Sequence, residues 1–212
     1  MIVKNESHII ERCLNSVKPL IDYVLIIDTG STDNTIEVIK NWLIVNNIPG
    51  DVLVEPWINF AHNRSFALNE LSKKDFIDYA LMIDADEVLI FEKSFNPMDF
   101  KSKMSVDVYD ITTTMGGISY IRPQLTSNRK LFKYQGVVHE FLTGDIESRE
   151  NAIGFHNQPI QDSNRNRSGN KFEGDVLLLE KAIQDTEDPW FKSRYTFYLA
   201  QTLRDLQRRE ES

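Results

Sequence analysis

Three apolar runs in this chain each end in a polar turn that carries acids. Met1–Val3 runs into Lys4-Asn5-Glu6, Tyr23–Ile27 into Asp28-Thr29-Gly30-Ser31-Thr32-Asp33, and Tyr79–Ile83 into Asp84-Ala85-Asp86-Glu87. Amphipathic stretches separate them. Ser7 is placed to cap a helix whose Ile10, Leu14 and Val17 share one face, a second helix is predicted from Thr35 to Val45, and a third from Asn59 to Leu71. With a further strand at Asp51–Val54, the first half reads as α/β, a sheet flanked by helices. Ligands of such open sheets gather at the carboxyl ends of the strands, so the three acidic turns are expected to line one crevice.

A chain of 212 residues with 41% hydrophobic content can bury a sizeable core, and one main domain is the natural expectation. Its 24 basic and 32 acidic residues give a net charge of -8, which repels a phosphate backbone and argues against nucleic acid as a partner. A nucleotide diphosphate is anionic too. An acidic protein that binds one needs a divalent cation or a local cluster of donors.

The lone Cys13 excludes an intrachain disulfide and suits a reducing compartment. Sequons at Asn5, Asn63 and Asn166 would be liabilities in a secretory lumen. There is neither an apolar run of the roughly 20 residues a membrane helix needs nor a signal-peptide pattern, so the expected location is cytoplasmic.

Past Asp107 the texture turns β-rich, with strands expected at Val108–Thr114, Leu131–Tyr134, Val137–Leu142 and Ile153–His156. Residues 158–170 are polar and read as a mobile loop or linker. Helices at Phe172–Ile183 and from Trp190 to about Arg208 form a hairpin across Asp188-Pro189, and the charged end Gln207–Ser212 follows without a closing element. The domains are therefore 1–157, a linker over 158–170, and a helical hairpin over 171–212. The first strand looks clipped at its start.

Asp84-Ala85-Asp86 is the strongest chemical signal. Two carboxylates one residue apart at a strand end can jointly grip a hard cation, and that cation can stabilise a departing diphosphate. An acidic triplet alone is equally compatible with a solvated loop. Asp84-Ala85-Asp86-Glu87-Val88-Leu89 after an apolar strand also suits the haloacid-dehalogenase-like phosphatases, in which the first Asp would be a nucleophile. That reading predicts the motif on the first core strand and a second acidic pair downstream; here three α/β units come first and no such pair follows.

Four ordered motifs together resemble the family 2 glycosyltransferases of the GT-A fold: Met1–Glu6, Ile27–Thr35, Asn63-Arg64 and Asp84-Ala85-Asp86. The resemblance extends to about His156. It implies a Rossmann-like mixed sheet flanked by helices, a sugar nucleotide on the first half and an acceptor on the second. It also implies Val3, Glu6 and Asp28 at the base and ribose, Arg64 facing the nucleotide, Asp84 toward ribose and metal, and Asp86 on the metal, Mn2+ or Mg2+. Many relatives carry a second acid where this chain has Thr29, which leaves the choice of base open. His139 and His156 are candidate further metal ligands, although a lone histidine is more often structural. Inversion at the anomeric carbon needs a base on the acceptor side, and Glu140 is the candidate, with Asp145 behind it.

Asn128–Lys133, Gly136 and His139-Glu140 resemble a subgroup in which tetratricopeptide-like helices follow the catalytic domain. Tyr195, Leu199, Ala200 and Leu203 have the spacing of an amphipathic helix in such a hairpin, a surface for a protein partner or self-association; ordinary core packing explains the stripe equally well. The expected function is transfer of a sugar from a nucleotide-diphosphate donor to an acceptor (protein, lipid or glycan) that the sequence does not specify. A binding module or inactive fragment acting through its helical end is the alternative.

Overall fold

The computed structural model describes residues 1–208. Strands β1 (Ile2–Val3), β2 (Val24–Asp28) and β3 (Gly50–Val54) form a parallel sheet in that order, with Val3 opposite Asp28 and Asp28 opposite Val54. Helices α1 (Ile10–Val17) and α2 (Thr35–Asn46) make the connections, and α3 (Phe60–Ser72) follows β3. All five positions of β2 are buried, which is why it reads as an unbroken apolar run rather than an alternating one. Helix α1 starts later than Ser7 suggests. Its N-cap is Ile9, without a side-chain cap, and the Ser7 hydroxyl donates to Asp33 Oδ2 at 2.6 Å instead.

The second sheet contains β4 (Tyr79–Leu81), β5 (Glu87–Phe91), β6 (Val108–Met115) and β7 (Ile118–Ser127). Beyond a separate hairpin of β8 (Phe132–Gln135) and β9 (Phe141–Gly144), β10 (Arg149–Asn151) and β11 (Phe155–Pro159) return to it. The order is β4-β7-β6-β11-β5 with β10 beside β6, and parallel and antiparallel pairings mix, as the α/β expectation of a mixed sheet requires. Three of these strands, β5, β7 and the short β10, lie outside the sequence reading. Strand β5 begins at Glu87, within what reads as an acidic turn. Strand β7 carries Arg122, Pro123 and Gln124, and its register with β6 shifts at Tyr109/Asp110, where a bulge accommodates the proline that would interrupt a regular ladder.

A short helix, α4 (Pro97–Lys103), is capped by Asn96 and joins β5 to β6. Residues 158–170 do not form a bare loop: their first two residues end β11, and α5 (Asn164–Arg167) lies within them. Then α6 (Lys171–Asp185) and α7 (Pro189–Asp205) pack as a hairpin whose Leu179, Ala182 and Tyr195 enclose Val138 of the β8–β9 turn. The helical end is thus packed onto the sheet domain. Of the charged terminal stretch, residues 209–212 lie outside the described residues.

β1 pairs with β2 only at Ile2 and Val3, and the Met1 amine reaches the Leu25 carbonyl at 3.1 Å. A hollow of about 660 Å³ opens beside the first half of β2, bounded by Val24 and Leu25 on one side, by Tyr79 and Ala80 of β4 on the other, and by Leu14 and Leu68.

Candidate active site

The turns after β1 and β2 are laced together. Asn5, at φ +57°, accepts the Thr32 N–H at 2.7 Å through Oδ1 and donates its own N–H to Ser31 Oγ at 2.9 Å; the Glu6 N–H donates to Thr35 Oγ1 at 2.8 Å. Asp28, 1% exposed, accepts the N–H groups of Gly30 and Ser31 at 2.9 and 2.8 Å through Oδ1. Gly30 supplies the φ of +104° that folds the turn back onto that oxygen. Asp28 Oδ2 is buried without a partner, an acceptor left free at the end of the strand. Thr29 is turned inward: both its N–H and its hydroxyl donate to the Val3 carbonyl, at 2.9 and 3.0 Å. Val3 therefore enters the site through its main chain.

Arg64 projects from α3, whose start is fixed by the fully buried Asn63, accepting from the Ile58 N–H at 3.1 Å and donating to the Pro56 carbonyl at 3.0 Å. The Arg64 guanidinium joins two acids distant in sequence. Its Nη2 lies 2.8 Å from Asp84 Oδ1 and 2.9 Å from Oδ2, and its Nε lies 2.8 Å from Glu140 Oε1. The Tyr134 ring sits beneath, 5.8 Å away, and burial pushes its hydroxyl up to about 12. Burial opposes the charge on Arg64, yet the fields of Asp84 and Glu140 outweigh it and hold the guanidinium protonated well above its ordinary range. Burial likewise pushes the Asp84 carboxyl up, but the charge and hydrogen bond of Arg64 win and its pKa is lowered.

Asp86 stands two residues on, and its Oδ2 accepts Asn166 Nδ2 at 3.1 Å. The stretch carrying α5 covers this side of the crevice. Asp162 grips Arg12 through two contacts of 2.6 Å, the Asn164 N–H reaches the Glu6 carboxylate at 3.1 Å, and Asn166 is held from behind by Lys171 at 3.1 Å. Burial raises the Glu6 pKa to about 7 against the pull of the Asn164 N–H, with Asp86, Asp33 and Asp162 adding repulsion. Glu87 belongs to the acidic turn expected at the crevice but was given no role there, and Arg122 escaped the sequence reading. Glu87 is buried and Arg122 of β7 lies against it at 2.5 Å; burial first, and then the neighbouring Asp84, raise the Glu87 pKa. A buried acid directly after an acid pair was the only available signal.

Three residues stand apart from this cluster. His156 pairs with Ile90 on β5, four positions beyond Asp86 and so roughly 13 Å along the strand. His139 faces the helices instead: its ring stacks on Tyr198 at 4.1 Å, its carbonyl accepts Arg194 Nη2 at 2.7 Å, and burial lowers its pKa. Asp145 lies past the far end of β9, roughly 15 Å of strand from Glu140, with its carbonyl near Lys130. As placed, neither histidine joins the acid pair and Asp145 does not back Glu140. Among the described residues no group of three or more His, Cys, Asp and Glu side chains is arranged to hold a metal ion. Besides the carboxylates of Glu6, Asp28 and Glu140, the crevice carries the acid pair Asp84 and Asp86. That pair suits an octahedral ion that keeps several waters and takes its other oxygens from a phosphate.

The family model for "Glycosyl transferase family 2" matches residues 1–137. The chain belongs to that family. An uncharacterized glycosyltransferase of Rickettsia bellii is 40% identical over 89 residues, 42% of this chain and 27% of the relative. A TPR repeat-containing protein of Synechococcus elongatus is 31% identical over 150 residues, covering 69% of this chain and 35% of the relative. The SPbeta prophage-derived glycosyltransferase SunS of Bacillus subtilis is 25% identical in an alignment spanning the whole chain and 50% of the relative. The chain thus spans about a quarter to a half of the length of these curated relatives. Among solved structures, S. aureus TarS 1-349 in complex with UDP-GlcNAc superposes with a TM-score of 0.55 at 14% identity, over 95% of this chain and 70% of that one. The mannosyltransferase PcManGT of Pyrobaculum calidifontis, in complex with GDP-Man and Mn2+, gives 0.53 at 15% identity, over 94% and 67%. These likenesses establish the GT-A fold of this family 2 chain. The same family assignment sets aside the phosphatase alternative.

Proposed function

We propose that the chain transfers a sugar from a nucleotide-diphosphate donor with the help of a divalent cation, Mn2+ or Mg2+. The observation that carries the reading is Arg64, which draws Asp84 of the acid pair and Glu140 of the β8–β9 turn to one guanidinium. Asp28 Oδ2 offers a free buried acceptor for a donor N–H or hydroxyl of the nucleoside, the Val3 main chain lies beside it, and Glu6 follows in the turn after β1. Thr29 shapes that pocket from within. Asp84 and Asp86 would hold the cation, which when bound offsets the charge that develops on the leaving diphosphate.

Glu140 is the proposed base: it takes the proton of the acceptor hydroxyl or thiol as that atom attacks the anomeric carbon from the face opposite the diphosphate, which gives inversion. Arg64 holds it in the crevice by charge, with Nε 2.8 Å from Oε1. The acceptor is a protein, lipid or glycan group. The domain reading of 1–157 and 171–212, the latter as the start of a tetratricopeptide-like region that meets a protein partner, is part of the same proposal. A buried Cys13 and a fully buried Asn63 within its sequon support a cytoplasmic setting. No described helix is long and apolar enough to cross a membrane.

Titration calorimetry with uridine, guanosine and adenosine diphosphates, with and without Mn2+, followed by donor-turnover assays, tests the reading. Metal-linked binding with turnover supports it. Metal-linked binding with none would instead favour a nucleotide-sugar-binding module, and the contacts of Asn164 and Asn166 on Glu6 and Asp86 are the observation behind that second reading.

A further inference from the structure

Glu87 is the acid of the turn to which the transfer chemistry gives no task. It is 2% exposed, and its carboxylate is tied to protein groups on both oxygens. Oε2 accepts the Asp84 N–H at 3.0 Å, while the Glu87 N–H donates to the Asp84 carbonyl at 3.1 Å, so one residue holds Asp84 by both its main-chain N–H and its main-chain carbonyl. Oε1 accepts Arg122 Nη2 at 2.5 Å. Gln124 Nε2 reaches Glu87 Oε2 at 3.4 Å and the Met82 carbonyl at 3.3 Å, and the Gln124 main-chain carbonyl accepts the Met82 N–H at 2.7 Å.

Burying a third carboxylate beside two others is unfavourable unless its hydrogen bonds accomplish something an apolar side chain cannot. Here they stitch the acid turn to β7. We propose that Glu87 is a positioning residue, which sets the angle at which Asp84 and Asp86 present their carboxylates by clamping the Asp84 backbone to Arg122 and Gln124. The inference rests on the reading of Asp84 and Asp86 as donor and metal residues.

Glu87→Gln keeps an oxygen able to accept the Asp84 N–H while its amide NH2 replaces the acceptor facing Arg122, so it isolates the Asp84 arm of the clamp; Glu87→Ala keeps neither. Amide hydrogen exchange at Asp84 should therefore accelerate at least about tenfold in E87A and stay near the wild-type rate in E87Q. With a nucleotide-sugar donor, E87A should lose about ten- to a hundredfold in kcat with donor KM moving less than about threefold, and E87Q should recover most of that loss, because a misplacement of about 1 Å carries that order of cost. Unchanged Asp84 exchange in a folded E87A, or an E87Q as impaired as E87A in both readouts, overturns the proposal. If E87A does not fold, E87Q decides alone: wild-type exchange with kcat within about threefold supports the role, and a larger kcat loss at wild-type exchange sinks it. A wild-type chain that turned over no nucleotide sugar would defeat the transferase reading, while the exchange rates at Asp84 would still uphold or overturn the clamp.

Discussion

Asn166 places its Nδ2 3.1 Å from Asp86 Oδ2, although 80 residues separate them in sequence. A cation that binds Asp86 through that oxygen shares it with the amide and makes it a weaker acceptor, so amide and ion compete for its electron density. Asn166→Ala should therefore tighten Mn2+-dependent nucleotide binding by up to about tenfold, about 1.5 kcal/mol for one hydrogen bond to a charged acceptor released. Asp86→Asn should weaken the same binding by more than about tenfold, since it removes a charge facing the ion. Calorimetry at fixed Mn2+ checks both, and a D86N chain with undiminished metal-linked affinity would exclude Asp86 as a ligand.

Arg64→Ala leaves Asp84 and Glu140 facing one another in a half-closed site with no cation between them. Removing one partner of a buried ion pair costs about 3–5 kcal/mol, and the same order is expected here from urea unfolding. Arg64→Lys keeps the charge but cannot reach both acids with a planar fork, so it should restore stability more than turnover. Equal rescue of both would deny the guanidinium a directional role.

Glu6 gives the protein a pH dependence opposite to that of most acids. Its pKa is about 7 in the folded chain against an ordinary 4.5. Between those values the unfolded chain releases the proton while the native state keeps it, so stability falls as pH rises through the window and the full cost is present above about 7. Glu6→Gln removes this contribution. Melting curves of E6Q and wild type should converge near pH 4.5 and separate in favour of E6Q by pH 8; parallel profiles would mean that Glu6 titrates normally.

The turn that bears Glu140 is braced from outside the crevice. Arg194 of α7 donates to the His139 carbonyl at 2.7 Å and lies over the Phe141 ring at 4.8 Å, and His139 is held at φ +50°. Arg194→Ala should lower kcat about tenfold or less with a stability loss of about 1–2 kcal/mol, because it removes a charged donor from a turn in an unfavoured conformation. A stability loss without any change in kcat would confine the helical hairpin to a structural role.

The half of the site built on strand ends was legible in the sequence, since β2 of the parallel sheet and the run Tyr79–Ile83, whose β4 pairs antiparallel with β7, both pass directly from apolar residues into Asp28 and Asp84. Arg64 was placed by its motif, but not its partners: nothing in the spacing of residues 64, 84 and 140 announces a shared contact. Arg122 was missed because Pro123 and Gln124 break the apolar alternation of β7, and the bulge that absorbs them exists only in the paired sheet. His139, His156 and Asp145 had the right chemistry, and only the register of β11 and the length of the β8–β9 hairpin fix where they stand. The polar composition of residues 158–170 conceals a cover over the acids, because its contacts are made by side chains and main-chain N–H groups that composition alone cannot direct.

The hollow of about 660 Å³ beside the first half of β2 is open to solvent, and Asp22, Lys101 and Arg129 line it together with apolar side chains. Water fills a space of that kind, so hydrostatic compression finds little void there to eliminate, and the volume change of unfolding should lie within the usual range of about -20 to -100 mL/mol. Ala80→Val, which adds bulk to its wall, should leave that volume change nearly unaltered.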